Sequence, residues 1–207
     1  MASAMILSDS MLSKLSRYHI EYLKDALNVQ FLETHAFRGK TALFILEKDT
    51  WVYKKLGENN YKYILVSACQ NDISQTIWSG DAGAVSALVF EKVSSEIRIM
   101  ADSFPNSVFI FLPLTLRSIC LKKYTRFPDS KSKEYIEKVN DVIKKLTSMM
   151  KELEKEFANF WAVASDYLWT DPAALTIDDG IHLSPHGLDK YLTESISIIR
   201  PRIKTNY

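Results

Sequence analysis

Short apolar runs alternate with longer amphipathic stretches along most of the chain, and this alternation predicts an α/β sandwich with a mainly parallel sheet. Met5-Ile6-Leu7 reads as a first strand and Phe31-Leu32 as a second. Tyr61 to Ala68 and Ser107 to Leu112 are apolar enough throughout to be strands buried on both faces. Trp161 to Ser165 reads as the last strand. Helical periodicity predicts helices over about Leu12 to Leu27, Leu43 to Leu56 and Gly83 to Met100, and a terminal one over Leu188 to Ile199 that Pro201 ends. The clearest stripe is Ile136, Val139, Ile143, Leu146, Met150, Leu153, Phe157 and Phe160, which predicts one long helix within 131–160. Its steps also fit a heptad, so the stripe either lies on the sheet or forms a coiled-coil seam and hence a homodimer. The first reading is preferred, because a parallel sheet needs helices on both faces. The expected fold is a three-layer α/β/α sandwich of about five strands, built as a single domain over 1–207.

Composition narrows the function classes. With 26 Lys+Arg against 25 Asp+Glu in 207 residues the net charge is +1, which removes the simplest electrostatic argument for nucleic-acid binding while leaving local basic patches possible. A chain of this length buries roughly 70% of its unfolded surface and needs no disulfide or metal to hold its core. The two cysteines, Cys69 and Cys120, are therefore read as free thiols, and the expected location is cytoplasmic or another reducing intracellular compartment. The longest apolar run, around Val108 to Leu114, falls well short of the roughly 20 residues that a membrane span requires.

Three loops follow predicted strands, and in open parallel sheets ligands bind at the carboxyl ends of the strands. They carry Ser8-Asp9-Ser10, Asn71 and Asp179-Gly180-Ile181-His182. A serine, a histidine and an acid at one sheet edge are the parts of a nucleophilic hydrolase, with Ser10 as nucleophile, His182 as base and Asp179 orienting the imidazole. The Asn71 amide and the backbone N–H groups of Ser10 and Gly39 would serve as oxyanion donors. No zinc-like spacing and no glycine-rich phosphate loop is found, so neither metal nor organic cofactor is expected.

These residues resemble the SGNH, or GDSL-type, hydrolase superfamily, in which four blocks supply a serine, a glycine, an asparagine and a histidine. Ile6-Leu7-Ser8-Asp9-Ser10 resembles the first block, Phe37-Arg38-Gly39 the second and Cys69-Gln70-Asn71-Asp72 the third. Asp179 to Gly187 resembles the last, and the blocks run in the family order over nearly the whole chain. The resemblance implies a flavodoxin-like SGNH fold and a serine esterase or acetylhydrolase. Its substrate would be a small ester or acetylated compound, cleaved through an acyl-Ser10 intermediate. Two positions depart from the pattern: Ser8 and Cys69 stand where the family has glycine, and Cys69 is expected to narrow the oxyanion side of the pocket.

Each residue also has a plainer role. Ser8, Asp9 and Ser10 suit a helix N-cap, Asn71-Asp72 and Asp178-Asp179 suit turns, and His19, His35 and His186 read as structural. The alternative function is an inactive SGNH-like domain that binds RNA or protein, as in Oskar-type domains. A third possibility is an esterase domain of the kind found in retrotransposon reading frames. Arg38, Lys40, Lys54, Lys55, Lys122, Lys123, Arg126, Arg200, Arg202 and Lys204 are the candidate nucleic-acid contacts. Arg38 and Lys40 have a second reading, as contacts to an anionic ester. Tyr124, Phe127 and Tyr207 stand among these basic residues as potential stacking platforms.

Overall fold

A computed structural model describes residues 2–48, 50–122 and 128–205. Lys123, Tyr124, Arg126, Phe127 and Tyr207 lie outside the described residues. Five strands, β1 (Ser3–Ser8), β2 (Phe31–Ala36), β3 (Tyr61–Ser67), β4 (Val108–Phe111) and β5 (Phe160–Ala162), form one sheet in the order β2-β1-β3-β4-β5. Every pairing is parallel. Successive side chains of a strand point to opposite faces, and the two faces carry separate cores. Met5, Leu7, Ile64, Val66, Phe109 and Phe111 share one core with α2 (Ala42–Leu46), α3 (Trp51–Glu58), α4 (Gln70–Thr76), α5 (Ala82–Ser103) and α6 (Lys133–Leu153). Ala4, Ile6, Tyr63, Leu65, Ile110 and Trp161 share the other with α1 (Arg17–Leu27), α7 (Pro172–Leu175) and α8 (Pro185–Thr205). This is the three-layer sandwich expected from the pattern.

The boundaries differ where local hydrogen bonding overrides periodicity. α1 begins at Arg17, because Ser16 accepts the His19 N–H and the His19 ring accepts the Ser16 N–H in a capping box. Leu12 and Met11 lie outside it: their N–H groups bond to Ser8 Oγ and Asp9 Oδ1, yet both side chains are buried, which keeps them in the apolar pattern. The stretch Leu43 to Leu56 is two helices, the second capped by Thr50 through the Tyr53 N–H. α8 runs through Pro201 to Thr205 instead of stopping, with Ile199 and Ile203 buried on either side of the proline.

The long stripe is shared between elements. Ile136 to Leu153 lies on α6, a 3-10 turn occupies Glu154–Glu156, and Phe160 already belongs to β5. Periodicity continues across the break because helix and strand bury apolar residues in the same layer. From Ile136 to Leu153 the stripe residues are all buried in this chain's own core, beside α5 and the sheet. A coiled-coil seam built from them would expose that layer, so the packing matches the sheet-covering reading and corrects the seam. Cys69 and Cys120 are buried free thiols. Among the described residues, no helix is long and apolar enough to cross a membrane.

Candidate active site

The sheet order reverses direction between β1 and β3, and the crevice beyond their carboxyl ends is where such sheets bind ligands. Ser10 follows β1, and Asn71 lies in the first turn of α4, just beyond β3. The loop after β1 is tied to both neighbouring strands: Phe37 N–H donates to Ser8 O at 2.7 Å and Asp9 N–H to Ser67 O at 2.9 Å. Ser8 has no left-handed backbone to strain it, and its hydroxyl donates to Asp9 O at 2.9 Å while accepting the Leu12 N–H at 3.1 Å. The departure from glycine thus adds a bond that shapes the turn around Ser10.

On the other side of the crevice, Asp179 and His182 are held by a turn. Asp179 Oδ1 accepts the N–H groups of Ile181 and His182, both at 2.9 Å. Ile177 N–H donates to His182 O at 2.8 Å across a bridge between Thr176 and Leu183. Gly180 makes the turn possible: its φ is +71°, and a Cβ there would stand 2.1 Å from Ser118 O. The imidazole links the two halves, with Nδ1 2.9 Å from Asp179 Oδ2 and Nε2 2.9 Å from Ser10 Oγ. Burial alone would raise the Asp179 carboxyl, but the bonds from the His182 ring and from two backbone N–H groups hold it below its ordinary value. A carboxylate only accepts, so Nδ1 carries the proton and Nε2 of the neutral ring accepts from Ser10.

Gly39 and Asn71 are brought together by two further bonds. Asn71 Nδ2 donates to Lys40 O at 2.8 Å, and Asp72 Oδ2 accepts the Ala42 N–H at 2.7 Å. Lys40 N–H donates to Phe37 O, closing a turn whose third residue, Gly39, has φ +72°, as type II turns require. Among the described residues, no acceptor takes the N–H of Ser10 or of Gly39. Asn71 Nδ2 keeps its second hydrogen, and Ser10, Gly39 and Asn71 all stand in the segments that follow the carboxyl ends of the strands bordering the crevice. Cys69 does not narrow it. Its side chain is fully buried among Ala68, Ile73 and the rest of the sheet core, although its backbone is left-handed at φ +84°, a conformation that glycine adopts without strain.

Beneath the crevice lies a polar network that motif reading missed. Arg117, 2% exposed, donates to Gln70 O at 2.8 Å, Ser74 Oγ at 2.8 Å and Tyr135 OH at 2.9 Å, while Asn140 bonds its backbone. It holds the first turn of α4, and with it Asn71, from below. The available signal was a lone arginine in the apolar run Leu112 to Cys120. Motif reading gives Asp9 only the role of a helix cap. It is 1% exposed, one oxygen accepts the Met11 N–H, and Oδ2 has no partner among the described residues.

Burial pushes the Asp9 carboxyl up to about 6, with the Met11 N–H and the charge of His182 opposing the rise. An acid whose folded pKa lies above its unfolded value favours the native state while protonated. Between about pH 4 and pH 6 this group therefore lowers stability as pH rises, by up to about 3 kcal/mol. Asp9→Asn is expected to flatten that slope, and denaturant unfolding of both proteins from pH 4 to 7 checks it; parallel curves would refute the assignment.

The remaining candidates are dispersed. Arg38 and Lys40 flank Gly39 on the surface, with the Lys40 ammonium over the Phe44 ring. Lys122 lies 3.8 Å from Asp179 Oδ2. Arg200 and Arg202 sit on the last turns of α8, roughly 22 Å along the helix from its start beside His182. Arg202 pairs with Glu154 and covers the Trp161 ring. His19 pairs with Asp189 and His35 with Glu33, each at 2.8 Å, partners that motif reading did not find. Among the described residues, no group of three or more His, Cys, Asp or Glu side chains stands where it could hold a metal ion.

No family model matches the chain, and no curated protein matches its sequence. Solved structures do match. An acetyl esterase mutant with an acetate ion superposes with TM-score 0.65 at 13% identity, over 100% of both chains. A protein from Slackia heliotrinireducens described as an SGNH hydrolase gives 0.62 at 12% identity, over 96% of this chain and 98% of its own. The chain has the SGNH-hydrolase fold. The psychrotrophic esterase EstA from Pseudoalteromonas is similar over 100% of both chains, at TM-score 0.60 and 11% identity. At such identities the likeness concerns the fold alone.

Proposed function

We propose that the protein is a serine esterase that cleaves a carboxylic ester or acetyl group through an acyl-Ser10 intermediate. The observation that carries this reading is the continuous chain Ser10 Oγ, His182 Nε2, His182 Nδ1, Asp179 Oδ2, with 2.9 Å at both junctions. Ser10 Oγ attacks the ester carbonyl and gives its proton to Nε2. Asp179 stabilises the imidazolium, which returns the proton to the leaving oxygen. Water then repeats the sequence on the acyl-enzyme, releasing the acid. The negative charge of each tetrahedral intermediate falls to the N–H groups of Ser10 and Gly39 and to Asn71 Nδ2. The Lys40–Phe37 turn bond around Gly39 and the bond from Asn71 to Lys40 O fix two of these donors in advance, so they need little reorganisation. That the similar solved structures include esterases fits this chemistry.

The test is a fluorophosphonate probe followed by mapping of the adduct. Labelling at Ser10, lost in Ser10→Ala, is the expected result; a folded protein that stays unlabelled would defeat the proposal. Asn71→Ala is expected to lower kcat by about 10²- to 10³-fold with little change in KM, because the donor acts mainly on the developing oxyanion. Steady-state kinetics on an aryl acetate reads the two constants separately.

A further inference from the structure

A cavity of about 250 Å³ opens beside Ser10 and His182, and neither Gly39 nor Asn71 lines it. Met11, Leu183, Pro185 and Leu188 give it apolar walls, and Lys14 lines it. An apolar cavity of about 150 Å³ accepts benzene, so this one has room for a ring or short chain bearing a further group. Its charges are one-sided. None of its lining residues is an acid. His19, also on its wall, is engaged by Ser16 and Asp189. Among the described residues, no carboxylate comes within ion-pair distance of Lys14, nor of Arg38 and Lys40 across the crevice. The acid nearest the nucleophile's base, Asp179, is already met by His182 and Lys122.

We infer that this slot holds the leaving-group side of the substrate, and that the group it takes is an apolar body carrying a negative charge, with Lys14 as the residue that selects it. The inference rests on the hydrolase reading. The leaving oxygen must receive its proton from His182 Nε2, so the departing alcohol lies on the His182 side, and the oxyanion donors occupy the other. When the acyl–oxygen bond breaks, the acyl group stays on Ser10 and the protonated, still anionic alcohol leaves past Lys14. A cation at the mouth of an apolar slot discriminates by charge as well as shape, since a neutral isostere forgoes the charge-assisted bond.

Benzoate and its neutral isostere benzamide, used as protectants against fluorophosphonate labelling of Ser10 in the full chain, test this directly. Benzoate should halve the labelling rate at a concentration about tenfold lower than benzamide does. The gap should persist in Lys14→Arg, narrow at high salt and close or invert in Lys14→Glu. Equal protection, no protection by benzoate, or a gap untouched in Lys14→Glu would overturn the inference while Ser10 labelling leaves the esterase reading standing. Absence of labelling in folded protein, by contrast, removes the reading on which it rests.

Discussion

Replacing Ser10 with alanine is expected to eliminate turnover, with a loss on the order of 10⁶-fold in kcat, and His182→Ala should fall to a similar level. The two side chains act as one unit. Nε2 has no proton to accept without Oγ, and Oγ is a weak nucleophile without the base 2.9 Å away. The double variant should therefore be little worse than either single one, and additive losses would count against a shared proton path. Stability should barely move in Ser10→Ala. The substitution removes one hydrogen bond from a part-exposed pair, a change of about 1 kcal/mol or less. Kinetics on an aryl ester, with unfolding curves on the same samples, separates loss of chemistry from loss of fold.

Gly180→Ala should disrupt both the fold and the site. At φ +71° an L-residue is disfavoured by about 1–2 kcal/mol, and here the new Cβ would also stand 2.1 Å from Ser118 O and 2.8 Å from its carbonyl carbon. Both are backbone atoms, and Ser118 N–H is itself bonded to Gly180 O at 3.0 Å, so neither segment yields easily. Relief must come from the turn that places Asp179 under His182. Stability should fall by at least about 2 kcal/mol and kcat by several orders of magnitude. Gly39→Ala is the matched comparison. It has nearly the same φ of +72° with nothing within 4 Å of the new Cβ, so its stability loss should be confined to the backbone penalty. Similar losses for the two variants would show that the contact with Ser118 carries no weight.

What the sequence determined by itself was whatever depends on local order. Apolar runs located the five strands, although β2 continues past Phe31-Leu32 to Ala36 as a half-exposed strand and β5 spans Phe160–Ala162 rather than reaching Ser165. The order of strands and helices dictated a parallel sheet with covered faces, because a central strand must be apolar on both sides. The spacing from Asp179 to His182 carried the acid and histidine together, since a single turn brings them within bonding distance. Helix ends were less legible: Ser8 and Asp9 divert the Met11 and Leu12 N–H groups, and Phe160 continues the α6 stripe inside a strand. Tertiary structure alone decided how Ser10 meets His182 across 172 positions, which strand pairing and the turn at Gly180 achieve together. It also decided that Cys69 points into the core, that Arg117 supports α4 from beneath, and that Lys14 borders the slot beside the nucleophile. Those outcomes depend on which side chains share a cavity or a buried bond, and such proximity is set by packing between segments distant along the chain.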